Sequence, residues 1–376
     1  MATHSERAQL ALDTIWQRPT VGIPTWTLFL MEHAHIERLA GAPPGEYRRH
    51  PEPTYLACQR ALGACLVDQF IPENPLTMGD QGFEQAELGA TTGAREIVRD
   101  GMVIDSPEVV VAHLEQVSFP RLRQAIGELD HGARVEAIIA QEAALQARVG
   151  PDLLKSGHGF VVFPALDFGT YGYEHYFTAY ALYPEVMERH FSLQADLALL
   201  HNRAAAEAHM RAKLPPMHRL DHDMADSRGT LVNVKSLDRL WFPHFARCLE
   251  PLLGTPVRLI WHCDGNLMEM VPRLLEVGLR GFQGFQYEHG MDYERICRMK
   301  TREGEAPIIV AGVSVSRTLP QGSPQEVKRE LDWLVAAGPR RGLFLGGSSS
   351  ITPGVPWENI RTLVEGLHYY RERGRG

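Results

Sequence analysis

The stretch Arg258-Leu-Ile-Trp-His-Cys-Asp-Gly-Asn266 decides how the rest of the sequence is interpreted. Its apolar first half is typical of a buried β-strand, which is predicted to end at the His-Cys-Asp triplet. Gly265 then turns the chain, and the pattern of residues 267–277 predicts a helix. We therefore expect His262 and Asp264 at the carboxyl end of a parallel strand, where α/β folds build their chemistry.

The composition is that of a soluble globular enzyme. The chain has 376 residues, of which 44% are hydrophobic and 22% charged, and this is enough for a sizeable core. A formal net charge of -8 argues against nucleic acid as the main partner. The sequence lacks an apolar run near the roughly 20 residues of a membrane span, and no signal-peptide pattern opens it. Its 5 cysteines form no Cys-x-x-Cys pair, so we expect a reduced, cytoplasmic setting.

Strand-like and helix-like segments alternate along most of the chain. The strands are predicted at 23–30, at a segment ending in 68–72, and at 158–164, 219–224, 257–261, 281–286, 307–313 and 341–346. Helices are predicted at 186–214, from the N-cap Ser323 and from Trp357. Eight such strands favour an α/β fold of the (β/α)8 TIM-barrel type, in one domain covering 1–376. A doubly wound open sheet is the alternative.

One segment breaks this alternation. Residues 77–106 are rich in glycine and in residues that favour β-strands, as in Gly89-Ala-Thr-Thr-Gly93 and Arg99-Asp-Gly-Met102. We predict that this segment forms a β-hairpin insertion after the second strand.

His262 and Asp264 are the central candidates for chemistry. If the strand persists through Asp264, the two side chains point to the same side and Cys263 points away. This spacing supplies two ligands to one divalent metal, or a general base and its orienting partner. The structural alternative is a polar pair that caps the strand end and the following helix.

Other ionisable side chains follow the remaining strands. Asp223 is either a metal ligand or proton donor, or part of a solvated acidic run. Arg228 either binds a substrate carboxylate or pairs with Asp223 or Asp226. Glu73 lies in a rigid turn that either faces the site or does not. The further candidates for substrate contact are His33, Gln286, Tyr287, Glu288 and Ser349, the last in a glycine-rich segment suited to binding an anion.

Several of these motifs, in this order, resemble the uroporphyrinogen decarboxylase superfamily. The resemblance covers nearly the whole chain and is strongest after residue 215. It is carried by the segments His222–Leu231, Trp241–Pro243, His262–Asn266, Gln286–Asp292, Ala311–Leu319 and Gly346–Ile360. The resemblance implies a (β/α)8 barrel, in agreement with the strand count, and a homodimer.

The resemblance allows two activities. True decarboxylases of this superfamily carry an arginine-rich loop after the first strand, which binds the substrate carboxylates. Here residues 30–36 contain no arginine and include Glu32, and Ser349 stands where the family has a late histidine. The catalytic aspartate of the decarboxylases would correspond to Asp68 or Glu73. Decarboxylation of uroporphyrinogen or of a smaller carboxylate, without a cofactor, is thus the alternative activity.

Within the superfamily, this sequence more closely resembles the branch of corrinoid- and zinc-dependent methyltransferases. In the thiol-methylating members a His-x-Cys pair and a later cysteine bind zinc; here His262 matches the histidine, while Asp264 and Ser349 replace the cysteines. Oxygen donors suit an alcohol, ether or methoxy group, with Zn²⁺ or another divalent metal. Asp223, His262, Asp264 and Glu73 would bind the metal or polarise the substrate oxygen. A separate protein would carry the corrinoid. A third hypothesis is a non-catalytic ligand-binding barrel.

Overall fold

Parallel strands form the centre of the molecule. The computed structural model describes residues 4–78 and 97–375. Within these ranges the strands are β1 Thr25–Trp26, β2 Ala64–Val67, β3 Val98–Arg99, β4 Met102–Val103, β5 Leu154–Lys155, β6 Gly157–His158, β7 Met217–Asp221, β8 Arg258–His262, β9 Gly281–Gln283, β10 Ile308–Val313 and β11 Leu343–Gly347. All except the β3–β4 pair belong to one sheet with the order β5-β2-β1-β11-β10-β9-β8-β7-β6.

The third barrel strand is divided into two pieces, β5 and β6. β5 pairs with β2 and β6 pairs with β7, both in parallel register. Between the two pieces, the Ser156 backbone N–H donates to the Val67 carbonyl over 2.9 Å. The two ends of the sheet order therefore meet at consecutive residues, and the sheet curls into the barrel that the sequence predicts.

Helices surround this barrel. Their bounds are α1 Glu6–Ile15, α2 His33–Ala40, α3 Glu46–Arg49, α4 Pro51–Leu62, α5 Asn74–Met78, α6 Pro107–His113, α7 Phe119–Glu128, α8 His131–Val149, α9 Phe168–Tyr171, α10 Tyr173–Leu182, α11 Pro184–Ala212, α12 Val234–Leu240, α13 Phe242–Leu253, α14 Val271–Val277, α15 Tyr293–Arg298, α16 Thr318–Gln321, α17 Pro324–Ala337 and α18 Trp357–Arg373. A π-helical turn, Leu114–Ser118, and a 3₁₀ turn, Tyr287–His289, complete the set. None of the helices in the described ranges is long and apolar enough to cross a lipid bilayer.

The predicted helix boundaries follow local chemistry. Ser323 and Glu326 form a reciprocal capping box at the start of α17, as the sequence predicts. α11 begins at Pro184 and ends at Ala212, close to the predicted 186–214. The helix after the opening stretch begins only at Val271, because residues 268–270 form a turn first.

The third strand lies earlier in the chain than predicted. Its two pieces cover 154–158, so the predicted strand at 158–164 overlaps the observed one only at His158, and residues 159–164 continue without strand pairing. At Val162 the side chain of Asn202, on α11, takes the place of strand hydrogen bonds. Its amide oxygen accepts from the Val162 N–H over 2.9 Å, and its amide nitrogen donates to the Val162 carbonyl over 2.8 Å. Apolar residues can thus be buried without a neighbouring strand when a side-chain amide satisfies the backbone.

The predicted hairpin is observed in its second part. β3 and β4 pair antiparallel through Val98↔Val103 and Arg99↔Met102. The first part of the predicted insertion, including Gly89-Ala-Thr-Thr-Gly93, lies outside the described residues. The insertion continues into the helices α6–α8, which the sequence analysis did not anticipate.

An apolar plug fills one end of the barrel. It contains Trp26, Leu66, Met217, Ile260 and Phe344, and α1 packs beneath it through Ala8, Ala11 and Ile15. Met217 and Phe344 lie near the starts of β7 and β11, and α1 packs against the cluster, so the plug closes the amino-terminal end. Two residues after Leu66, Met217 and Ile260, the chain carries the polar residues Asp68, Arg219 and His262 towards the carboxyl end, where the candidate site lies.

His209 gives a test of the packing outside the barrel. It is 3% exposed on α11, and neither ring nitrogen has a hydrogen-bond partner among the described residues. Burial, together with the nearby Lys155, lowers the pKa of His209 to about 4. Between pH 6.5 and pH 4 the histidine is therefore protonated in the unfolded chain and neutral in the folded chain. The free energy of unfolding falls as the pH decreases through this range, because protonation stabilises the unfolded chain.

We predict that His209→Leu makes stability less sensitive to acid. Between pH 7.5 and pH 5.5 the free energy of unfolding of the wild type should fall by about 1 kcal/mol more than that of the variant. Urea unfolding at both pH values measures this difference. Met210→Leu, at the neighbouring exposed position, removes no titratable group and should behave as the wild type does. Parallel losses in the wild type and in His209→Leu would contradict the prediction.

Candidate metal and active site

The register of three neighbouring strands assembles the site. Asp221 at the end of β7 pairs with His262 at the end of β8, and His262 pairs with Gln283 at the end of β9. Equivalent positions on adjacent parallel strands point to the same face. The three polar side chains therefore form a row across the carboxyl end of the barrel.

Asp223, His262 and Asp264 converge just beyond this row. One ligand atom of each lies within 4.8 Å of the others, and we call these three residues the triad. The Asp264 N–H donates to Asp223 Oδ1 over 2.8 Å, and the Ser349 hydroxyl donates to Asp264 Oδ2 over 3.0 Å. The structure thus brings together two residues predicted as metal ligands, a third predicted as catalytic, and one predicted as substrate-binding.

The triad fits a cation because some of its buried polar atoms lack partners. Asp264 Oδ1 and His262 Nδ1 are buried and have no hydrogen-bond partner in the described part of the protein. Such atoms cost free energy unless an ion, water or ligand satisfies them. One imidazole and two carboxylates form a donor set typical of a divalent metal such as Zn²⁺.

The turn after the triad explains the glycine in the opening stretch. Gly265 has φ +83°, and a Cβ at this position would lie 2.6 Å from the Asp226 carbonyl oxygen. The Asn266 N–H donates to that same carbonyl over 2.7 Å, while the Gly265 N–H donates to Gln286 Oε1 over 2.9 Å. Only glycine fits this position, so the two ligand-bearing loops lie backbone to backbone.

A second glycine supports the His262 ring. A Cβ at Gly284, which has φ +88°, would lie 2.7 Å from His262 Nδ1 and 2.9 Å from the Cys263 carbonyl oxygen. The imidazole therefore packs directly against the backbone after β9. The sequence analysis missed Gly284, although a glycine directly after a strand is a signal for close backbone approach.

Negative charge is in excess at this end of the barrel. Burial raises the pKa of the Asp264 carboxyl, and the charges of Asp223 and Asp221 raise it further, against the opposing effects of His262 and Ser349. A divalent cation bound to the triad would relieve this repulsion.

Cys263 takes no part in the triad. Its side chain is buried on the opposite side of the strand, where Sγ accepts from the Met224 N–H over 3.2 Å. Burial raises the pKa of the Cys263 thiol far above its ordinary value, so the sulfur stays protonated. Cys263 thus points away from the triad as predicted, although β8 ends at His262 and does not persist through Asp264.

A buried arginine lies beneath the triad, and sequence reasoning missed it. Arg219 is 3% exposed; its Nε donates to Asp68, its Nη1 donates to Asp221 over 2.7 Å, and its Nη2 donates to Gln69 over 3.2 Å. Burial opposes ionisation of Asp221, but His158, His262 and Arg219 outweigh it and hold the pKa of Asp221 well below its usual range. The available signal was the alternation of charged residues at 219, 221 and 223 along one strand face.

His222 is held as a neutral side chain. Its Nε2 accepts from the Leu166 N–H over 3.0 Å, and its ring stacks on Phe168. Burial lowers the pKa of His222 to about 4, although Asp223 and Asp221 oppose this effect. His222 therefore anchors the loop after the third strand and presents Asp223 to the site.

Arg228, His33 and Glu73 were also predicted as site residues. Arg228 pairs with Asp226 over 2.7 Å and its side chain is 89% exposed, so the salt-bridge alternative is observed. His33 contacts the Pro75 carbonyl over 3.1 Å, and Glu73 is exposed. Neither makes a hydrogen bond or ion pair with the triad among the described residues.

The predicted cluster after the sixth strand is also accounted for. Gln286 supports the Gly265 turn, and the Tyr287 hydroxyl donates to the Gly312 carbonyl over 2.7 Å. Glu288 accepts from the Ser314 hydroxyl over 2.7 Å and from Ser316. Within the described ranges, Gln286 is the member of this cluster that is hydrogen-bonded to a triad loop.

The comparisons with known proteins agree with this fold. The family model for uroporphyrinogen decarboxylase (URO-D) matches residues 222–370, which confirms the resemblance over the part that carries the triad. Among solved structures, a methyltransferase from Methanosarcina mazei shares the fold with a TM-score of 0.56 and 16% sequence identity, over 97% of this chain and 98% of that chain. No curated protein sequence matches this chain significantly.

Gly284→Ala should displace His262. The left-handed backbone alone costs an alanine about 1–2 kcal/mol, and the clash with the imidazole adds to this loss. Gly304→Ala is the matched control, because Gly304 has φ +80° and a Cβ added there would have nothing within 4 Å. Urea unfolding should show the larger loss for Gly284→Ala, and titration with Co²⁺ should show weakened binding in that variant alone. Equal effects of the two substitutions would argue against the contact.

Proposed function

We propose that this chain is a methyltransferase or demethylase that acts on a small methylated substrate at the triad. The observation that carries the proposal is the convergence of Asp223, His262 and Asp264 within 4.8 Å at the carboxyl end of the barrel. The match to the URO-D family and the fold shared with a methyltransferase support it.

The donor atoms favour a substrate oxygen over a thiol. Two carboxylates and one imidazole make a harder site than one containing thiolates, and such sites prefer oxygen ligands. Asp223, His262 and Asp264 would hold Zn²⁺ or another divalent ion, which as a Lewis acid stabilises negative charge on the oxygen that loses the methyl group. We propose a methoxy, ether or alcohol substrate on these grounds.

The surrounding residues orient these donors. The Ser349 hydroxyl holds one oxygen of Asp264, the Asp264 backbone holds Asp223, and Gly284 leaves room for the imidazole. Preorganisation of this kind lowers the cost of bringing substrate and donors into register.

Substrate binding and the methyl acceptor complete the proposal. Arg228 would exchange its salt bridge with Asp226 for an anionic group of the substrate. The further contacts would be His33, Gln286, Tyr287, Glu288 and Ser349, with Glu73 as an additional acid. The acceptor would be a corrinoid on a separate protein that docks at the carboxyl end of the barrel. We further propose a cytoplasmic homodimer.

The alternative activity, decarboxylation, receives less support from the geometry. Asp68, one of the two candidates for the catalytic aspartate, has a fully buried side chain paired with Arg219, so it does not face a substrate. Glu32, in the loop where the decarboxylases carry arginines, accepts from the Gly354 N–H over 3.0 Å. A polycarboxylate needs a cationic surface, whereas the described residues around the triad carry an excess of negative charge.

We predict that His262→Ala and Asp264→Ala each abolish stoichiometric binding of Zn²⁺ or Co²⁺, because two ligands cannot hold the ion as three do. Elemental analysis and chelator competition measure this. With cob(I)alamin and a panel of methoxylated substrates, both variants should also lose methyl-cobalamin formation, which absorbance follows. Glu136→Gln, on the exposed face of α8, should retain both properties.

Two outcomes would count against the proposal. Metal binding that survives in both alanine variants would remove the triad as the site. Formation of coproporphyrinogen by the wild type, with no methyl-cobalamin from any substrate, would favour decarboxylation instead.

A double substitution tests the role of donor hardness. Asp264→Cys with Ser349→Cys should convert the site to soft sulfur donors, since Ser349 Oγ lies 3.0 Å from Asp264 Oδ2. We expect the preference for Zn²⁺ over Mn²⁺ to rise by roughly tenfold, or about 1.4 kcal/mol. Competitive metal titration checks this, with Asp264→Asn as the control that keeps oxygen. An unchanged preference would show that Asp264 does not contact the ion.

A further inference from the structure

The His262 ring is positioned without a hydrogen bond of its own. Its Nδ1 faces Gly284 and has no partner among the residues described, and its Nε2 lies 3.9 Å from Asp221 Oδ1, beyond hydrogen-bond range. Packing limits the ring on one side, and the Asp221 carboxylate faces it on the other. Asp221 therefore acts on the imidazole through charge attraction across 3.9 Å and not through a hydrogen bond, and this attraction draws the ring towards the place where Asp221 is held.

Arg219 fixes the position of Asp221. Its Nη1 donates to Asp221 Oδ2 over 2.7 Å, which leaves Oδ1 directed towards His262. Arg219 is in turn held from behind by the fully buried Asp68 and by Gln69. A planar guanidinium can donate in two directions at once, so it links the two carboxylates rigidly.

We infer that Arg219 is a positioning residue for the triad. By holding Asp221 beside the imidazole, it fixes His262 in the orientation in which His262 meets Asp223 and Asp264. Groups that orient a metal-binding histidine commonly contribute about 10–100-fold to metal affinity, although they do not contact the ion. The inference rests on the metal site of the proposed function and names residues outside it.

A purely structural role for Arg219 predicts a different result. In that case loss of the arginine would lower the stability of the barrel and leave the affinity of the folded protein for metal unchanged. The chain offers a matched control in the buried pair Lys155–Glu142, whose side chains are 2% and 4% exposed and whose Nζ–Oε2 distance is 2.9 Å. This pair lies at the start of the third barrel strand and makes no contact with Asp221 or His262 in the described structure.

The experiment measures the affinity of the folded protein for Co²⁺ alone, by chelator competition and by the visible absorption bands of the bound ion. Arg219→Lys, Arg219→Gln and Asp221→Asn should each weaken binding by roughly 10–100-fold and alter the bands. Glu142→Gln should lower the unfolding midpoint in urea and leave both Co²⁺ readouts unchanged. The double variant Arg219→Lys with Asp221→Asn should bind Co²⁺ with about the affinity of the more impaired single variant, because both substitutions remove the same contact.

Each further outcome has a distinct meaning. Wild-type affinity in Arg219→Lys and Asp221→Asn would overturn the inference while leaving the triad intact, and so would an equal loss of affinity in Glu142→Gln. If the wild type binds no Co²⁺ that depends on His262, the inference and the metal site fail together. If the Co²⁺ effects appear but no methyl transfer occurs, the inference stands and the proposed reaction is the part that fails.

Discussion

A buried guanidinium between two carboxylates makes charge tolerable inside this barrel. Arg219 links Asp68, which is fully enclosed, to Asp221, which borders the candidate site. Removing one member of such a buried group leaves an unpaired charge and typically costs about 3–5 kcal/mol. The carboxyl end of the barrel can therefore contain buried carboxylates, because Arg219 neutralises part of their negative charge. Above it, the remaining carboxylates create the excess negative charge that suits a cation.

The sequence predicted the architecture well where one strand carries its own signal. The later strands are continuous apolar runs bounded by glycine or polar residues, and β8, β10 and β11 lie within two residues of their predicted ends. The third strand was misplaced because residues 159–164 are apolar without strand pairing, and the backbone of Val162 is satisfied by Asn202, far away on α11. Helices α6–α8 were not predicted individually, because few of the side chains on α7 and α8 are buried.

The residues of the candidate site, like the strands, were predictable where one segment carries the signal by itself. The two-residue period of a strand predicted that His262 and Asp264 share a side and that Cys263 faces away. The side chains do lie this way, but β8 ends at His262, and Asp264 is held by its bonds to Asp223 and Ser349. The approach of Asp223 depends on the register between β7 and β8, which no local pattern contains. Arg219 was missed because its partner Asp68 lies 151 positions earlier, so its compensation is visible only in three dimensions. The part played by each residue in catalysis stays a prediction.

The backbone link between the two ligand loops has a consequence for how such a site changes over time. The Asn266 N–H binds the Asp226 carbonyl, so a main-chain hydrogen bond helps to set the separation of the loops, whereas the Asp264 N–H binds the side chain of Asp223. The side chain of Asp264 takes no part in either of these two bonds, so they do not depend on which donor atom residue 264 carries. In a protein with this scaffold, a substitution at position 264 can therefore exchange a sulfur donor for an oxygen donor, and so change the preferred metal or substrate, while these two loop contacts are kept. The backbone that holds the site can thus stay the same while the donor atoms change.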